Sequence, residues 1–433
     1  MTLAATIWDE VLPRVQELRL GATDPLPDVA ETCRRLAAEI TRRHEAEALD
    51  GRGESLNEHD LAWLNSQLEA LLGTGPLESF LRRDDVENIW LFGPHLGVLG
   101  LTGGRQEPIT TPLFADATEM IGFIAHLAVT HGQTGRRFDV SAPLLDLRLR
   151  TGERVFAAMA VCGAPYLTVR CHRHRIVRLD DLVAGGSLSD HAAEFLAAAV
   201  RPPAPANVLI CGALGAGKTT LLRALLSEIA PHEIVCTLEQ TFELFLGDTH
   251  PYVFAAETRE PNSDGEGEIG MEELARRSLR SGADRVIVGE LRGSEAATFL
   301  SACGTGSDGS MATIHASSPR QALARLVRYC LSSGLAGTQS ALVAEAADVI
   351  HLVVHMGNDP RTGFRGVRQI TEVLGAPDGR FDTHDIFARP RRSEPLEAAS
   401  RPRSGDLIER LEEGDLDLGT WPDTPQALRT APS

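Results

Sequence analysis

The chain has 433 residues and a mass of 46.6 kDa, which predicts roughly two or three domains. Its 43% hydrophobic and 24% charged residues are typical of a globular protein, and no apolar run reaches the ~20 residues of a membrane-spanning helix. The net charge of −18 disfavours sequence-independent binding to nucleic acid, and the first 20 residues lack the basic-then-apolar pattern of an export signal.

The predicted elements begin with helices. Residues 1–75 carry apolar side chains at steps of three and four residues, which is typical of amphipathic helices. Residues 76–178 alternate short apolar stretches with turn residues and predict a small α/β domain. Its expected strands are 88–92, 96–101, 144–149, 155–161 and 166–170, and its expected long helix is 117–130.

From residue 179 the pattern changes to alternating helices and apolar strands, which predicts a domain over 179–390 with a parallel sheet. The expected strands are 207–211, 234–238, 285–288, 311–314 and 349–354. The expected helices are 190–200, 218–229, 271–280, 293–303 and 320–331. Beyond about residue 390 the periodicity is lost, so 391–433 is predicted to be a mostly disordered acidic tail, with a short amphipathic helix near 407–411.

A phosphate-binding pattern lies between a predicted strand and the next helix. Residues 212–219 read GALGAGKT and fit GxxxxGK[ST], in which glycines allow the backbone N–H groups to curl round a phosphate. Lys218 is expected to reach the β/γ-phosphates and the Thr219 hydroxyl to ligate Mg²⁺. The residues expected to bind the nucleotide here are Gly212, Ala213, Leu214, Gly215, Ala216, Gly217, Lys218, Thr219 and Thr220.

The distribution of lysine in the chain also points to the phosphate-binding pattern. Lys218 is the only lysine among 42 basic residues, and the others are arginine. A compact ammonium on a flexible stem does something there that a planar guanidinium cannot. The pattern and the lone lysine together predict nucleotide binding.

Three further polar residues end predicted strands of the same domain. Glu290 follows the apolar run at 285–288, Glu239 follows 234–238, and His315 follows 311–314. The carboxyl ends of parallel strands meet at one edge of the sheet. Two acids beside a γ-phosphate suit magnesium binding and water positioning, and the histidine could sense the γ-phosphate.

Other polar residues indicate no separate site. The basic stretch 170–178 could contact phosphate or lipid headgroups, but a solvated linker is the preferred interpretation because no aromatic residues interleave it. His172 and His174 lack a second cluster at metal-ligand spacing. Seven scattered cysteines without a CxxC pair disfavour a disulfide framework and a zinc ribbon.

Several motifs follow one another in a fixed order. After the phosphate loop come TLEQTFEL (237–244), AETREPN (256–262), LRSGADRVIVGELRG (279–293) and GTGSDGSMATIHASSPRQALARL (304–326). Before it come GTGPLESFLRRDDVENIWLFGP (73–94), RRFDVSAPLLDLRLRTGERV (136–155) and LDDLVAGGSLSDHAAEFLAAAV (179–200). Over about residues 60–375 this order resembles the secretion ATPases of type II and type IV secretion and type IV pili, above all the branch of tight-adherence (Flp-type) pili.

The resemblance implies a hexameric ring ATPase with a RecA-like P-loop domain, a smaller N-terminal α/β domain and nucleotide bound between the two. It assigns Glu239 to orienting or deprotonating the attacking water, and Glu239, Glu290 and Thr219 to the magnesium site. It matches His315 to the family's histidine box. The arginines that it implicates are Arg259, after the acidic box, and Arg148, Arg154 and Arg170, which would approach the phosphates from the N-terminal domain.

Two residues depart from the family's pattern. Gln240 stands where the acidic box usually has a second acid, and Ser307 stands where the histidine box commonly begins with a histidine. Neither change removes a residue that is assigned to direct chemistry. Both bear on the hydrolysis rate and on phosphate sensing.

The sequence therefore predicts a cytoplasmic ATPase at the inner face of the plasma membrane that works through an inner-membrane platform protein and without nucleic acid. One alternative is a RecA-like motor that translocates nucleic acid, which the acidic composition disfavours. Another is a nucleotide-binding assembly scaffold with little hydrolysis, which Gln240 and Ser307 would favour. A small-molecule P-loop kinase would have no evident use for the N-terminal domain.

Overall fold

The chain divides into two compact units, residues 1–173 and 174–433. The computed structural model describes residues 3–21, 26–51, 54–72, 74–131, 137–149, 151–171, 176–259, 261, 265–333, 338–359, 364–389 and 394–421. Within these ranges no helix is both long enough and apolar enough to cross a membrane. His172 and His174 lie outside them.

The first unit begins with three helices, as predicted. They are α1 (Leu3–Gly21), α2 (Leu26–Leu49) and α3 (Glu58–Leu72). Their apolar faces share a small core of their own that includes Ile7, Val11, Cys33, Ile40 and Leu64. Packing of these amphipathic faces, more than helix propensity, stabilises such helices in water.

The rest of the first unit is an antiparallel sheet with helices, in agreement with the predicted small α/β domain. In chain order its elements are α4 (Glu78–Leu81), β1 (Val86–Phe92), β2 (Gly97–Leu101), β3 (Gln106–Ile109), α5 (Ala117–His131), β4 (Leu144–Arg148), β5 (Arg154–Ala158) and β6 (Tyr166–Arg170). The strand order is β3-β2-β1-β6-β5-β4. Met120, Ile124 and Leu127 of α5 recur at helical spacing and are fully buried in the core of this sheet.

The second unit is built on a nine-stranded sheet, β15-β14-β13-β12-β7-β11-β10-β8-β9. Its strands are β7 (Val208–Gly212), β8 (Val235–Glu239), β9 (Val253–Glu257), β10 (Arg285–Leu291), β11 (Met311–His315), β12 (Leu352–Asp359), β13 (Phe364–Gly375), β14 (Asp382–Ala388) and β15 (Glu397–Ala398). Strands β7 to β12 pair in parallel, and β13 to β15 continue the sheet antiparallel. The carboxyl ends of the parallel strands therefore meet at one edge.

Helices cover both faces of this sheet. They are α6 (Leu179–Ala184), α7 (Asp190–Val200), α8 (Lys218–Leu226), α9 (Met271–Ser278), α10 (Glu295–Gly304), α11 (Pro319–Ser332), α12 (Gln339–Val349) and α13 (Gly405–Glu413). Helices α6, α7, α8 and α13 contribute to one core cluster, and α9 to α12 contribute to another. This arrangement buries β7 and β8 on both faces, so all five residues of each strand are buried.

Two sequence predictions for this unit are corrected. The strand expected at 349–354 begins at Leu352, because α12 continues to Val349. Residues 394–421 are folded instead of disordered: β15 pairs with β14, and α13 buries Leu407 and Leu411 against α7 and the sheet. The amphipathic helix predicted near 407–411 is confirmed. Residues 390–393 and 422–433 lie outside the described residues, where the predicted tail stays a prediction.

Trp421 closes this C-terminal segment onto the core. Its ring centroid lies 4.3 Å from that of His191 and 5.3 Å from that of Phe387, and its indole N–H donates to the carbonyl of Ser400 over 3.1 Å. Trp421→Ala is therefore expected to lower the free energy of unfolding of the second unit by about 3–5 kcal/mol. Urea-induced unfolding followed by far-ultraviolet circular dichroism would measure the loss. A change below about 0.5 kcal/mol, the effect of an ordinary surface substitution, would contradict this packing.

Candidate functional site

The phosphate loop connects β7 to α8 at the carboxyl edge of the sheet. Gly215 and Gly217 have φ values of +70° and +93°, in the left-handed region that favours glycine. At Gly212 a Cβ atom would lie 2.6 Å from the carbonyl oxygen of Met356 in β12, so this position has no room for a side chain. The glycine spacing seen in the sequence therefore follows from backbone curvature and a close backbone approach.

Lys218 spans this loop. Its Nζ atom donates to the carbonyl oxygens of Gly212 and Ala213 over 3.2 and 3.1 Å, and it lies 3.2 Å from Nδ1 of His315. The residue is only 8% exposed, and burial lowers the pKa of its ammonium group, which the nearby Glu290 opposes. The first helical residue of α8 thus holds a positive charge inside the loop, beside the N-terminal end of the helix dipole.

His315 connects Lys218 to Glu290. An ammonium group can only donate, so Nδ1 of His315 accepts from Lys218 and the ring proton lies on Nε2, which is 2.6 Å from Oε1 of Glu290. The neutral ring and the carboxylate are thus in direct contact, but their geometry is not that of a hydrogen bond. Oε1 is buried and accepts no hydrogen bond from any described residue. The ends of β11 and β10 thus bring both predicted residues to the phosphate loop.

Glu239 ends β8 and is 3% exposed. Its Oε1 atom accepts hydrogen bonds from the backbone N–H groups of Glu243 and Leu244 over 2.7 and 2.9 Å. Burial raises the pKa of this carboxyl to about 7, against the opposing effect of the two N–H groups. The neighbouring backbone at Gly289 of β10 leaves little space, since a Cβ atom there would lie 3.3 Å from Cγ of Glu239.

The family described as type II/IV secretion system protein matches residues 141–383, which is more than half of the chain. The chain belongs to the type II/IV secretion ATPase superfamily. A Mycobacterium tuberculosis protein named for conjugal transfer is 33% identical over 331 residues, which cover 74% of this chain and 90% of that protein. The type IV secretion system protein PtlH of Bordetella pertussis is 32% identical over 259 residues, which cover 53% of this chain and 74% of PtlH.

A solved structure agrees with the fold of this secretion ATPase. The Legionella pneumophila ATPase DotB aligns with a TM-score of 0.50 and 21% identity over 69% of this chain and 79% of DotB. At this level of identity the likeness concerns the fold alone. The RecA-like α/β architecture with a smaller N-terminal α/β domain is thereby confirmed.

Sequence reasoning missed Arg292 in this secretion ATPase. The guanidinium of Arg292 contacts Oε2 of Glu290 over 2.5 and 2.9 Å and the side-chain oxygen of Gln240 over 2.5 Å. It therefore links the ends of β10 and β8, and Gln240, the departure from the family's acidic box, is its hydrogen-bond acceptor. The signal available in the sequence was a cation two residues after a strand-end acid.

Ser307, the other departure, lies elsewhere. It precedes β11, and its hydroxyl lies 3.4 Å from the carbonyl oxygen of Ala283, which precedes β10. This is the amino edge of the sheet, and His315 lies at the other end of β11, which spans about 13 Å at ~3.3 Å per residue. The substitution at position 307 therefore does not alter the immediate surroundings of Lys218.

The predicted arginines lie outside this contact network. Arg259 forms an isolated bridge with Ile269, and its Nε donates to the carbonyl of Gly267 over 2.5 Å. Arg148, Arg154 and Arg170 belong to the first unit, where Arg148 pairs with Arg154 across β4 and β5 and Arg154 pairs with Arg170 across β5 and β6. Cross-strand partners point to the same face, so the three form a basic row at one end of that sheet.

Proposed function

We propose that this secretion ATPase binds ATP at residues 212–220 and hydrolyses it as a hexameric motor. The observation that carries the proposal is the continuous contact from Lys218 through His315 to Glu290 beside the phosphate loop. A glycine turn that binds no ligand is not expected to bury an ammonium group next to a strand-end acid and a histidine. The membership of the chain in a family of secretion ATPases supports the same conclusion.

The phosphates would be bound by backbone N–H groups of the loop, by Lys218 and by the N-terminus of α8. All three favour negative charge, and none needs a conformational change of the sheet. Residues 213, 214 and 216 would contribute through their backbones. Thr220 would do the same from the first turn of the helix.

The residues present fit magnesium as the metal. Mg²⁺ prefers hard oxygen ligands, and the site offers the Thr219 hydroxyl at the start of α8 and Oε1 of Glu290, a buried carboxylate oxygen without a hydrogen bond. Bound there, Mg²⁺ would neutralise negative charge on the triphosphate. Glu239 is a poorer ligand than sequence reasoning expected, because two backbone N–H groups already occupy one of its oxygens.

Glu239 is proposed to orient the attacking water and to accept its proton. The fixed Oε1 atom holds the carboxyl in one orientation, and a pKa of about 7 suits a general base at neutral pH. His315 would sense the γ-phosphate and, through its contact with Glu290, couple that residue to the presence of the phosphate. Arg259 is proposed to act as the family's arginine after the acidic box. Arg148, Arg154 and Arg170 are proposed to approach the phosphates from the N-terminal domain, of the same or of a neighbouring subunit.

Hydrolysis would drive relative motion of the two units of each subunit and push on an inner-membrane platform protein from the cytoplasm. The motif order supports work on a Flp-type pilus or a related secretion apparatus. The acidic composition, with a net charge of −18, supports a protein partner over nucleic acid.

Native mass spectrometry of the purified full chain tests the ring. The mass of six subunits is expected with ATP, together with release of phosphate. A nucleotide-binding scaffold would give the six-subunit mass and bound ATP without phosphate. A single-subunit mass both with and without ATP would contradict the ring. Stimulation of phosphate release by added nucleic acid would support the nucleic-acid-translocating motor instead.

The pH dependence of turnover follows from Glu239. Its pKa is raised from 4.5 to about 7 by burial, so the carboxyl loses its proton only as the pH rises through 7. A general base must be ionised, and turnover at saturating ATP should therefore fall about fivefold from pH 7 to pH 6, nearly tenfold for each further unit below, and should level off above pH 8. The measurement is the initial rate of phosphate release, with ATP affinity determined at each pH as the control. A rate that stays constant between pH 5.5 and pH 8 would exclude this role.

A further inference from the structure

The loop that follows Glu239 contains an aromatic residue in a strained conformation. Phe245 has φ +51° and ψ +30°, which is the left-handed region. A side chain with a Cβ atom adopts it only at a cost, and such residues persist where their surroundings hold them in place. The residues on either side of Phe245, Leu244 and Leu246, are both buried in the core of the second unit. Their packing therefore holds the backbone of Phe245 in this conformation.

Helix α8 provides one of the groups that hold it. The guanidinium carbon of Arg223 lies 5.2 Å from the centroid of the Phe245 ring, within the range of a cation–π interaction. Arg223 follows Thr219 by four residues, so the two lie on the same face of the helix that carries the phosphate loop. A rigid helix thus connects the nucleotide site to the strained loop.

The strained loop in turn fixes Glu239. The two N–H groups that donate to its Oε1 atom belong to Glu243 and Leu244, directly before Phe245. The direction of these N–H groups depends on the backbone turn completed at Phe245. If the turn relaxed, both hydrogen bonds to the carboxylate would lengthen together.

We propose that Arg223 and Phe245 form a clamp that positions Glu239 for ATP hydrolysis. The proposal rests on the proposed role of Glu239 as the residue that orients water. Neither clamp residue needs to contact ATP. Arg223 acts through the Phe245 ring and also through its positive charge, which favours the ionised carboxylate of Glu239. Phe245 acts through the backbone N–H groups at 243 and 244. Loss of the clamp leaves the contacts of Lys218 with the loop intact.

The clamp predicts a selective loss of rate. Arg223→Met removes the charge and keeps the length of the side chain, and Phe245→Ala removes the ring and keeps the cost of the left-handed backbone. Each is expected to lower kcat about five- to tenfold while the Kd for ATP changes less than twofold. Phe245→Gly, which adopts a positive φ freely, should regain at least half of the kcat that Phe245→Ala loses.

The experiment measures kcat by phosphate release and the Kd of a fluorescent ATP analogue by titration, both on the full chain. The double variant Arg223→Met/Phe245→Ala should be no slower than the slower single variant, because the two residues act as one unit. Arg223→Lys keeps a cation over the ring and should stay within about twofold of the wild-type kcat. Arg328→Met, an exposed arginine on α11, is the matched control.

Three outcomes overturn the clamp: wild-type kcat in Arg223→Met, equal losses of kcat and ATP affinity, or additive losses in the double variant. Glu239→Gln, measured in parallel, separates the two proposals. If Glu239→Gln abolishes turnover and Arg223→Met does not lower it, the clamp alone fails. If Glu239→Gln retains turnover, the proposed role of Glu239 fails and the clamp fails with it, whatever Arg223→Met does.

Discussion

Lys218→Ala is expected to lower ATP turnover by about 100- to 1,000-fold while the protein stays folded. The ammonium group is the buried positive charge that the phosphate loop holds, through the carbonyl oxygens of Gly212 and Ala213. Alanine leaves the loop without a charge to balance the β/γ-phosphates. Turnover would be measured by phosphate release and the fold by circular dichroism.

Lys218→Arg is the sharper companion variant. Arginine keeps the charge, and the other 41 of the 42 lysine and arginine positions in this chain are all arginine. Its planar fork cannot occupy the space between two carbonyl oxygens at 3.1 and 3.2 Å, so turnover should fall nearly as far as in Lys218→Ala. Arg320→Ala, at an exposed position of α11, should leave turnover unchanged. Turnover near the wild-type rate in Lys218→Ala would remove the assignment of the phosphate loop.

Glu239→Gln is expected to lower turnover by about 100- to 10,000-fold while ATP still binds. Glutamine has the same size and can still accept from the N–H groups at 243 and 244, so the loop keeps its shape. It cannot accept a proton from water. The two measurements are phosphate release and the Kd of a fluorescent ATP analogue.

The matched control is Glu409→Gln, the same substitution at an exposed position of α13. It should change neither rate nor affinity. A Glu239→Gln variant that keeps more than about a tenth of the wild-type turnover would show that another group activates the water. Glu290 would then be the next candidate, because its Oε1 atom is buried beside His315.

Local patterns in the sequence identified residues that the structure brings together. The phosphate loop is recognisable because glycine spacing reports backbone curvature directly, and Glu290 and His315 are brought to Lys218 because strand ends of a parallel sheet share one edge. Glu239 reaches the same edge from β8, and its burial could not be read from a sequence in which it precedes another polar residue.

The elements that sequence reasoning missed depend on distant contacts. Residues 394–421 lack periodicity beyond α13, yet Trp421 is buried against α7 and β14, which lie more than 30 residues away. Arg292 and Arg223 are two among many arginines, and only the fold places one against Glu290 and the other over Phe245. Such roles arise from tertiary contacts, which no local pattern records.

Continuous phosphate release by the purified full chain with excess ATP and Mg²⁺ tests the central claim most directly. The predicted result is release of many phosphates per subunit, which stops when a chelator removes magnesium. Stoichiometric binding of ATP that remains intact over the same period would contradict a hydrolytic motor.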